Sequence, residues 1–225
     1  MSVPPHLQIA IDGPAASGKT TVAQRLAERM RILYLDTGAM YRTLASLALT
    51  TRTEADNEAA LVRLWESSHV RIEFDAVTGF RITVNESAVD LHALQSNEVS
   101  IIVSTIAAHP RVREAMVRSQ REIAARGAVV MAGRDIGTVV LPFAQVKIFL
   151  TASVQARVAR RRAQLLEAGV DVSIHQLAQE IEERDRLDRE RAVSPLAPAP
   201  DAHVIDSSEI DAEAVVEEIV RIAQS

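Results

Sequence analysis

Ile9-Ala10-Ile11-Asp12-Gly13-Pro14-Ala15-Ala16-Ser17-Gly18-Lys19-Thr20-Thr21 decides how the rest of the chain is read. Its opening residues form a short apolar run, the pattern of a buried strand. Gly-x-x-x-x-Gly-Lys-Thr follows over 13–20, and Val22, Leu26 and Met30, at i, i+4 and i+8, then give a helical stripe that faces a sheet. A strand before and a helix behind is the context that a phosphate-binding loop requires. Glycine at 13 and 18 permits backbone angles and close approaches that a Cβ would block. The loop N–H groups can then converge on a polyphosphate, aided by the positive end of the helix. Lys19 offers a compact charge for the outer phosphates, and the Thr20 hydroxyl suits Mg²⁺. Only two of the 25 lysine and arginine residues are lysines, Lys19 and Lys147. A chain that otherwise uses arginine places a lysine where a compact ammonium is needed.

Working outward, 225 residues suffice for one domain with a sizeable core, or for one domain carrying an insert. A net charge of −5 disfavours nucleic-acid binding by overall charge. The absence of cysteine excludes disulfides and thiolate metal sites and is compatible with a reducing compartment. Met1 to Gln8 has neither a basic region nor an apolar core, so no signal peptide is expected. No apolar run approaches the roughly 18 residues of a membrane helix. Ala192–Ala202, rich in Pro and Ala, reads as an extended connection.

Residues 7–12 predict the first strand, 19–30 the first helix and 32–35 a second strand. That second strand ends in Asp36-Thr37-Gly38-Ala39-Met40-Tyr41-Arg42, which places Arg42 at the ligand crevice of an open α/β sheet. A helix is expected over about 54–68, with Leu61, Leu64 and Trp65 inward. Val70–Phe74 and Phe80–Val84 then alternate apolar and polar residues on either side of a turn ending at Gly79, the pattern of an antiparallel hairpin. Val99, Ile102, Val103 and Ile106 share one helical face, and Pro110 opens another helix that Gly127 is expected to end. Further strands are expected at 128–132, 146–150 and 203–206, with Asp211 capping the last helix. Five apolar strands alternating with helices predict a three-layer α/β/α fold with a parallel sheet, and the hairpin predicts an insert over 64–103.

Two arginine groups remain. Arg157, Arg160, Arg161 and Arg162 lie close together, with 157, 160 and 161 on one helical face. Arg184, Asp188 and Arg191 follow at i, i+4 and i+7. Either group reads equally as a solvated face laced with ion pairs. Beside a phosphate loop, planar and permanently charged forks also suit a phosphoryl group in flight.

The chain resembles the bacterial cytidylate kinases, of the nucleoside monophosphate kinase group, almost end to end. The resemblance is carried by Ile11-Asp12-Gly13-Pro14 with the loop, Leu35–Arg42, Pro110-Arg111-Val112-Arg113, Gly133-Arg134-Asp135-Ile136-Gly137-Thr138-Val139-Val140, Lys147–Leu150 and Glu183-Arg184-Asp185 through Arg191-Ala192-Val193. It implies transfer of the γ-phosphoryl group of ATP to CMP or dCMP, with Mg²⁺, in a cytoplasmic monomer with neither nucleic-acid nor membrane partners. It implies one kinase domain over 1–225: a core of about 1–63 and 104–225, an acceptor-binding insert of about 64–103 and a lid of about 153–172.

By position, Gly13, Pro14, Ala15, Ala16, Ser17, Gly18, Lys19, Thr20 and Thr21 would bind ATP, with Thr20 on the metal. Thr37, Arg42 and Arg134 would contact the acceptor, both arginines on its phosphate. Ser104, Arg113 and Asp135 would read cytosine, and Arg184, Asp188 and Arg191 would line its sugar and phosphates. Arg157 and Arg161 would approach ATP on lid closure. Lys19, Arg134, Arg157, Arg161 and Arg191 form the implied catalytic set. Four positions depart from the family pattern: Ala16 for a glycine, Ala132 for an acid, Gln95 for an arginine and Phe143 for an aspartate. A kinase with another acceptor, and a nucleotide-regulated switch, share the loop; the switch would need guanine-reading residues, and no Asn-Lys-x-Asp occurs.

Overall fold

A computed structural model describes residues 3–75, 79–167 and 169–224. Strand β1 (Gln8–Asp12) leads into α1 (Lys19–Met30), β2 (Leu33–Asp36), α2 (Thr37–Thr51) and α3 (Glu58–Ser67). Short strands β3 (Arg71–Glu73), β4 (Arg81–Val84) and β5 (Ser87–Ala88) come next, then α4 (Asn97–Ala108) and α5 (Pro110–Ala124). After β6 (Val129–Gly133), a π-type turn at Ile136–Val140 precedes β7 (Val146–Thr151), α6 (Val154–Glu167), α7 (Ile174–Glu190), β8 (His203–Asp206) and α8 (Ala212–Ile222).

Five strands form one sheet in the order β2-β6-β1-β7-β8, and β7 runs parallel to both β1 and β8. The continuous apolar runs follow from this: four of five residues in β1 and all five in β6 are buried, as strands covered on both faces must be. This is the α/β architecture that the alternation of elements predicts. β1 is the central strand, so its carboxyl end opens at the middle of the sheet edge where such folds bind ligands.

The chain forms two compact units. One comprises the described residues of Met1–Leu7 and Met30–Val129, the other those of Gln8–Arg29 and Val130–Ser225. In the first, α2 packs on α3 and α4, and α5 packs on α3 and α4. Leu44, Leu61, Ile106 and Met116 are fully enclosed there. β3, β4 and β5 form a separate antiparallel sheet in which Ile72 faces Ile82, both buried, while Arg71, Glu73 and Arg81 face water. The expected turn at 76–78 lies outside the described residues, but Gly79 has φ +81° and its N–H bonds Asp75 O.

Three local expectations shift. α3 starts at Glu58 rather than 54, because the Asn57 side chain accepts the Ala60 N–H and caps it. α5 ends at Ala124, where the Ala125 and Arg126 N–H groups close on Arg121 and Ile123, so Gly127 is not its cap. Phe74 lies beyond the three-residue β3 and is 57% exposed.

In the second unit Asp211 accepts the Ala214 N–H and caps α8, which buries Val215, Val216, Ile219 and Val220. α6 and α7 join through Val158, Leu177 and Ile181, and Ala16 of the glycine loop packs on the same cluster. The Pro/Ala stretch is anchored rather than loose: Leu196 and Ala199 are buried, and the Leu196 N–H bonds Asp188 O. Among the described residues, no helix is long and apolar enough to cross a membrane.

Candidate active site

The glycine loop of the second unit is shaped by close approach. A Cβ on Gly13, at φ +153°, would stand 2.0 Å from the Leu150 carbonyl oxygen, so no other residue fits without moving backbone. Gly18 has φ +93°. Ala16 also lies in the left-handed region, at φ 57°, a conformation that glycine adopts more cheaply; this gives the departure at 16 a physical meaning. Lys19 is buried, its Nζ donating to Pro14 O at 2.6 Å and reaching Ser17 Oγ at 3.4 Å, so the ammonium is held within the loop it serves. Thr20 and Thr21 are exposed in the first turn of α1, where backbone N–H groups have no helical partner.

Beneath the loop, Ser207 Oγ lies 3.1 Å from both Ser17 O and Thr151 O, which share its one proton. Arg160 donates to Ser17 O at 3.4 Å and to the Ser207 carbonyl. Arg157 is also buried. It donates to Ala15 O at 3.1 Å and Ala152 O at 3.1 Å, and pairs with Asp185 at 2.7 Å, a carboxylate as buried as itself. Arg161 is exposed and makes none of these contacts. One face of α6 therefore holds three different environments. Arg157 and Arg160 brace the loop, and only Arg161 faces solvent. Lys147, the other lysine, is structural: buried in β7, it donates to Pro142 O at 2.5 Å and holds Asp201 at 2.8 Å.

A second group gathers around α7. Arg134, following β6, donates through Nε to Asp188 at 2.7 Å. Arg191, the residue capping α7, reaches Asp188 at 3.9 Å and Asp135 at 3.8 Å and is fixed by a bond to Ser194 O. Burial pushes the Asp188 carboxyl up, but Arg134, Arg184 and Arg191 outweigh it and hold it below the usual carboxylate range. Arg184, Asp188 and Arg191 thus meet Arg134 and Asp135 in this unit. Arg186, also on α7, makes the solvated ion pairs expected of a surface helix, with Glu183 and Glu190.

The first unit brings the other expected residues to one helix face. Ser100, Ser104 and Ala107 align on α4 at i, i+4 and i+7. Arg42 of α2 donates to Ser100 Oγ at 3.1 Å and to Leu94 O at 3.1 Å. Arg113 of α5, buried, donates to Ala107 O at 3.3 Å and stands 5.8 Å over the Tyr41 ring. Exposed Ser104 lies on this face between the positions gripped by the two arginines. Thr37, buried, opens α2 one turn before Tyr41. Gln95 and Phe143, two of the departures, are exposed, Phe143 at 90%.

Sequence reasoning left three participants unassigned. Asp185 and Tyr41 carried no local signal, since their partners come from other helices. Asp12 did carry one, an acid closing an otherwise apolar strand. It accepts the Ile136 N–H at 2.8 Å and the Gly137 N–H at 2.7 Å. Burial pushes its carboxyl up to about 6, with the two backbone bonds and Lys19 opposing and Asp135 adding.

A central parallel strand, a glycine loop that admits no Cβ at Gly13, an enclosed lysine and two open threonines on a helix start define a P-loop kinase. The profile of the cytidylate kinase family matches residues 9–225. A cytidylate kinase of Geobacillus sp. (strain WCH70) is 46% identical over 217 residues, covering 96% of each chain. One from Anoxybacillus flavithermus (strain DSM 21510 / WK1) is 45% identical over 218 residues, covering 97% of this chain and 96% of its own. Among solved structures, an uncharacterized protein from Eubacterium ventriosum ATCC 27560 shares the fold, with TM-score 0.55 at 12% identity over 97% of this chain and 99% of that one. The chain belongs to the cytidylate kinase family and is a nucleoside monophosphate kinase.

Proposed function

We propose that the chain transfers the γ-phosphoryl group of ATP to CMP or dCMP, giving CDP or dCDP and ADP. The observation that carries this reading is the loop geometry: Lys19 is enclosed where an outer phosphate would sit, beside a helix start with open N–H groups and hydroxyls. The arginine groups supply the remaining chemistry. An acceptor phosphate oxygen is already an anion, so transfer needs positioning and masking of charge rather than a strong base.

In this reading residues 13–21 cradle the triphosphate, and Lys19 neutralises charge between β- and γ-phosphates. Arg134 and Arg191 take phosphate oxygens in place of part of their present carboxylate pairing. Arg184 and Asp188 serve the acceptor's sugar and phosphates. Arg42 binds the acceptor phosphate, Thr37 contacts the acceptor, and Ser104, Arg113 and Asp135 read the base. Asp135 would accept from the cytosine amine and repel the uracil carbonyl. Arg161, exposed on α6, approaches ATP when the lid, 153–172, closes and excludes water. Arg157 contributes by bracing Ala15. Residues 64–103 are the acceptor-side insert.

The exposed Thr20 hydroxyl at the start of α1 fits a magnesium ion that arrives with ATP, and no group of three potential acidic, histidine or cysteine ligands occurs among the described residues. Magnesium would supply charge neutralisation across the β- and γ-phosphates. The same reading makes the protein a cytoplasmic monomer with no nucleic-acid or membrane partner.

A panel of CMP, dCMP, UMP and AMP with ATP and Mg²⁺ tests this. Preferential phosphorylation of CMP or dCMP is expected; preference for AMP would overturn the base assignment.

A further inference from the structure

None of the roles above uses Asp12, yet the residue is only 3% exposed and stands immediately before Gly13. Oδ1 takes the Ile136 N–H at 2.8 Å and Oδ2 the Gly137 N–H at 2.7 Å. Those donors open the π-type turn at Ile136–Val140, next to Asp135 and two residues from Arg134. A single side chain therefore joins the mouth of the phosphate loop to the segment bearing two of the proposed acceptor contacts. One donor on each oxygen fixes both the position and the tilt of the peptide pair. There is little play around it. A Cβ on Gly137 would lie 3.4 Å from Asp12 Oδ2 and 3.3 Å from Lys147 Cδ. Burying a carboxylate is costly, and a neutral group would serve folding as well or better. Lys19 opposes that cost and Asp135 adds to it. The turn is gripped at its first two N–H groups.

We infer that Asp12 is a positioning residue: it sets the register of Arg134 and Asp135 against the phosphate loop, so that the acceptor's phosphate and base are presented at a fixed place relative to Lys19. The inference rests on the acceptor roles proposed for Arg134 and Asp135. Asp12 itself touches neither nucleotide; it acts through the Ile136 and Gly137 peptides.

Asp12→Asn tests it, because the amide keeps the shape but turns an NH₂ towards one of the two N–H donors. The variant and the wild type are assayed with CMP and UMP at saturating ATP, and Mg·ATP binding is measured separately by calorimetry. The expected result is a loss of about 100-fold in kcat/KM for CMP, the scale of a misplacement near 1 Å. The CMP-over-UMP ratio should fall as well, while ATP affinity changes little. Asp12→Glu, which restores the charge but not the reach, should fail to rescue CMP use. A folded Asp12→Asn protein with wild-type kcat, KM for CMP and base preference would overturn the inference, since a purely structural role would lower only stability. If Asp12→Asn does not fold, Gly137→Ala crowds the same contact, its Cβ meeting Asp12 Oδ2 and the Lys147 chain; it should reproduce the selective CMP loss, and unchanged CMP kinetics there would overturn the inference equally. The wild type in the same assay separates the two ideas. Its use of CMP with variants unchanged sinks only the role of Asp12, whereas no turnover of CMP by the wild type sinks the acceptor reading itself.

Discussion

In the proposed reading, the glycine loop of the second unit and the α2–α4–α5 face of the first would recognise nucleotide by opposite means. In the loop the binding groups would be backbone N–H, while the side chains around it, Arg157, Arg160 and Ser207, point at its carbonyls and hold its shape. On the helical face the side chains themselves would be the recognition groups. Arg42 and Arg113 reach α4 from two other helices and are steadied by a serine hydroxyl, carbonyls and an aromatic ring. A backbone cradle recognises phosphate whatever nucleoside carries it. A face built of side chains can discriminate between acceptors. Substitutions in the loop should therefore weaken every reaction alike, and substitutions on the helical face should act on the acceptor alone.

The largest effect should come from Lys19→Ala, with turnover falling by about 10³, or roughly 4 kcal/mol of barrier, equally for every acceptor. Its folding should be intact by thermal melting, and near-normal kcat would break the comparison. Arg113→Met should cost about 100-fold in kcat/KM for CMP with the KM for ATP unchanged. An equal rise in both KM values would show that the helical face is not acceptor-specific. Asp135→Ala should damage CMP use more than UMP use, and an equal loss would make Asp135 structural.

Two carboxylates of the second unit sharpen the contrast through pH. Asp12 titrates near 6 in the folded chain because it is buried, above its unfolded value of 3.8. Its ionisation therefore favours unfolding, and its contribution to stability is greatest below 3.8 and is lost as pH rises through 6. Relative to Asp12→Asn, the wild type should gain about 2 kcal/mol between neutral pH and pH 4 in denaturant titrations. Asp188 behaves oppositely. Held below its unfolded value by its arginines, it stabilises above pH 3.8 and loses that contribution as pH falls further. Against Asp188→Asn the wild-type advantage should shrink on acidification; matching trends for the two residues would contradict the environments described.

The smallest effect concerns Ala16. Glycine there relieves a left-handed alanine at φ 57° but removes a methyl packed on Val158, Leu177 and Ile181. The net change should lie within about 1 kcal/mol, or some 2–4 °C in Tm. A larger loss would mean that the methyl contact outweighs the backbone strain.

Much of this molecule was legible in one dimension. The loop, the five strands, the Pro110 start of α5 and the Asp211 cap of α8 follow from local rules, because backbone conformation and capping depend on neighbours a few residues away. Where expectations slipped, the deciding contact was still short-range but of another kind, as when Asn57 set the start of α3. The arginines were legible as a group but not individually. Spacing on α6 put Arg157, Arg160 and Arg161 on one face, yet packing buried the first against Asp185, bound the second to Ser207 and left the third in solvent.

The sequence by itself determined the kind of chemistry, since a phosphate loop is written in glycines and one lysine whose roles are set by backbone angles along a continuous segment. Only the tertiary structure decided which charges are partners: Arg157 with Asp185, Arg134 with Asp188, Asp12 with the turn at 136 and 137. The physical reason is that an ion pair or a buried hydrogen bond acts over about 3 Å, and residues far apart in the chain reach that distance only after helices and strands have packed.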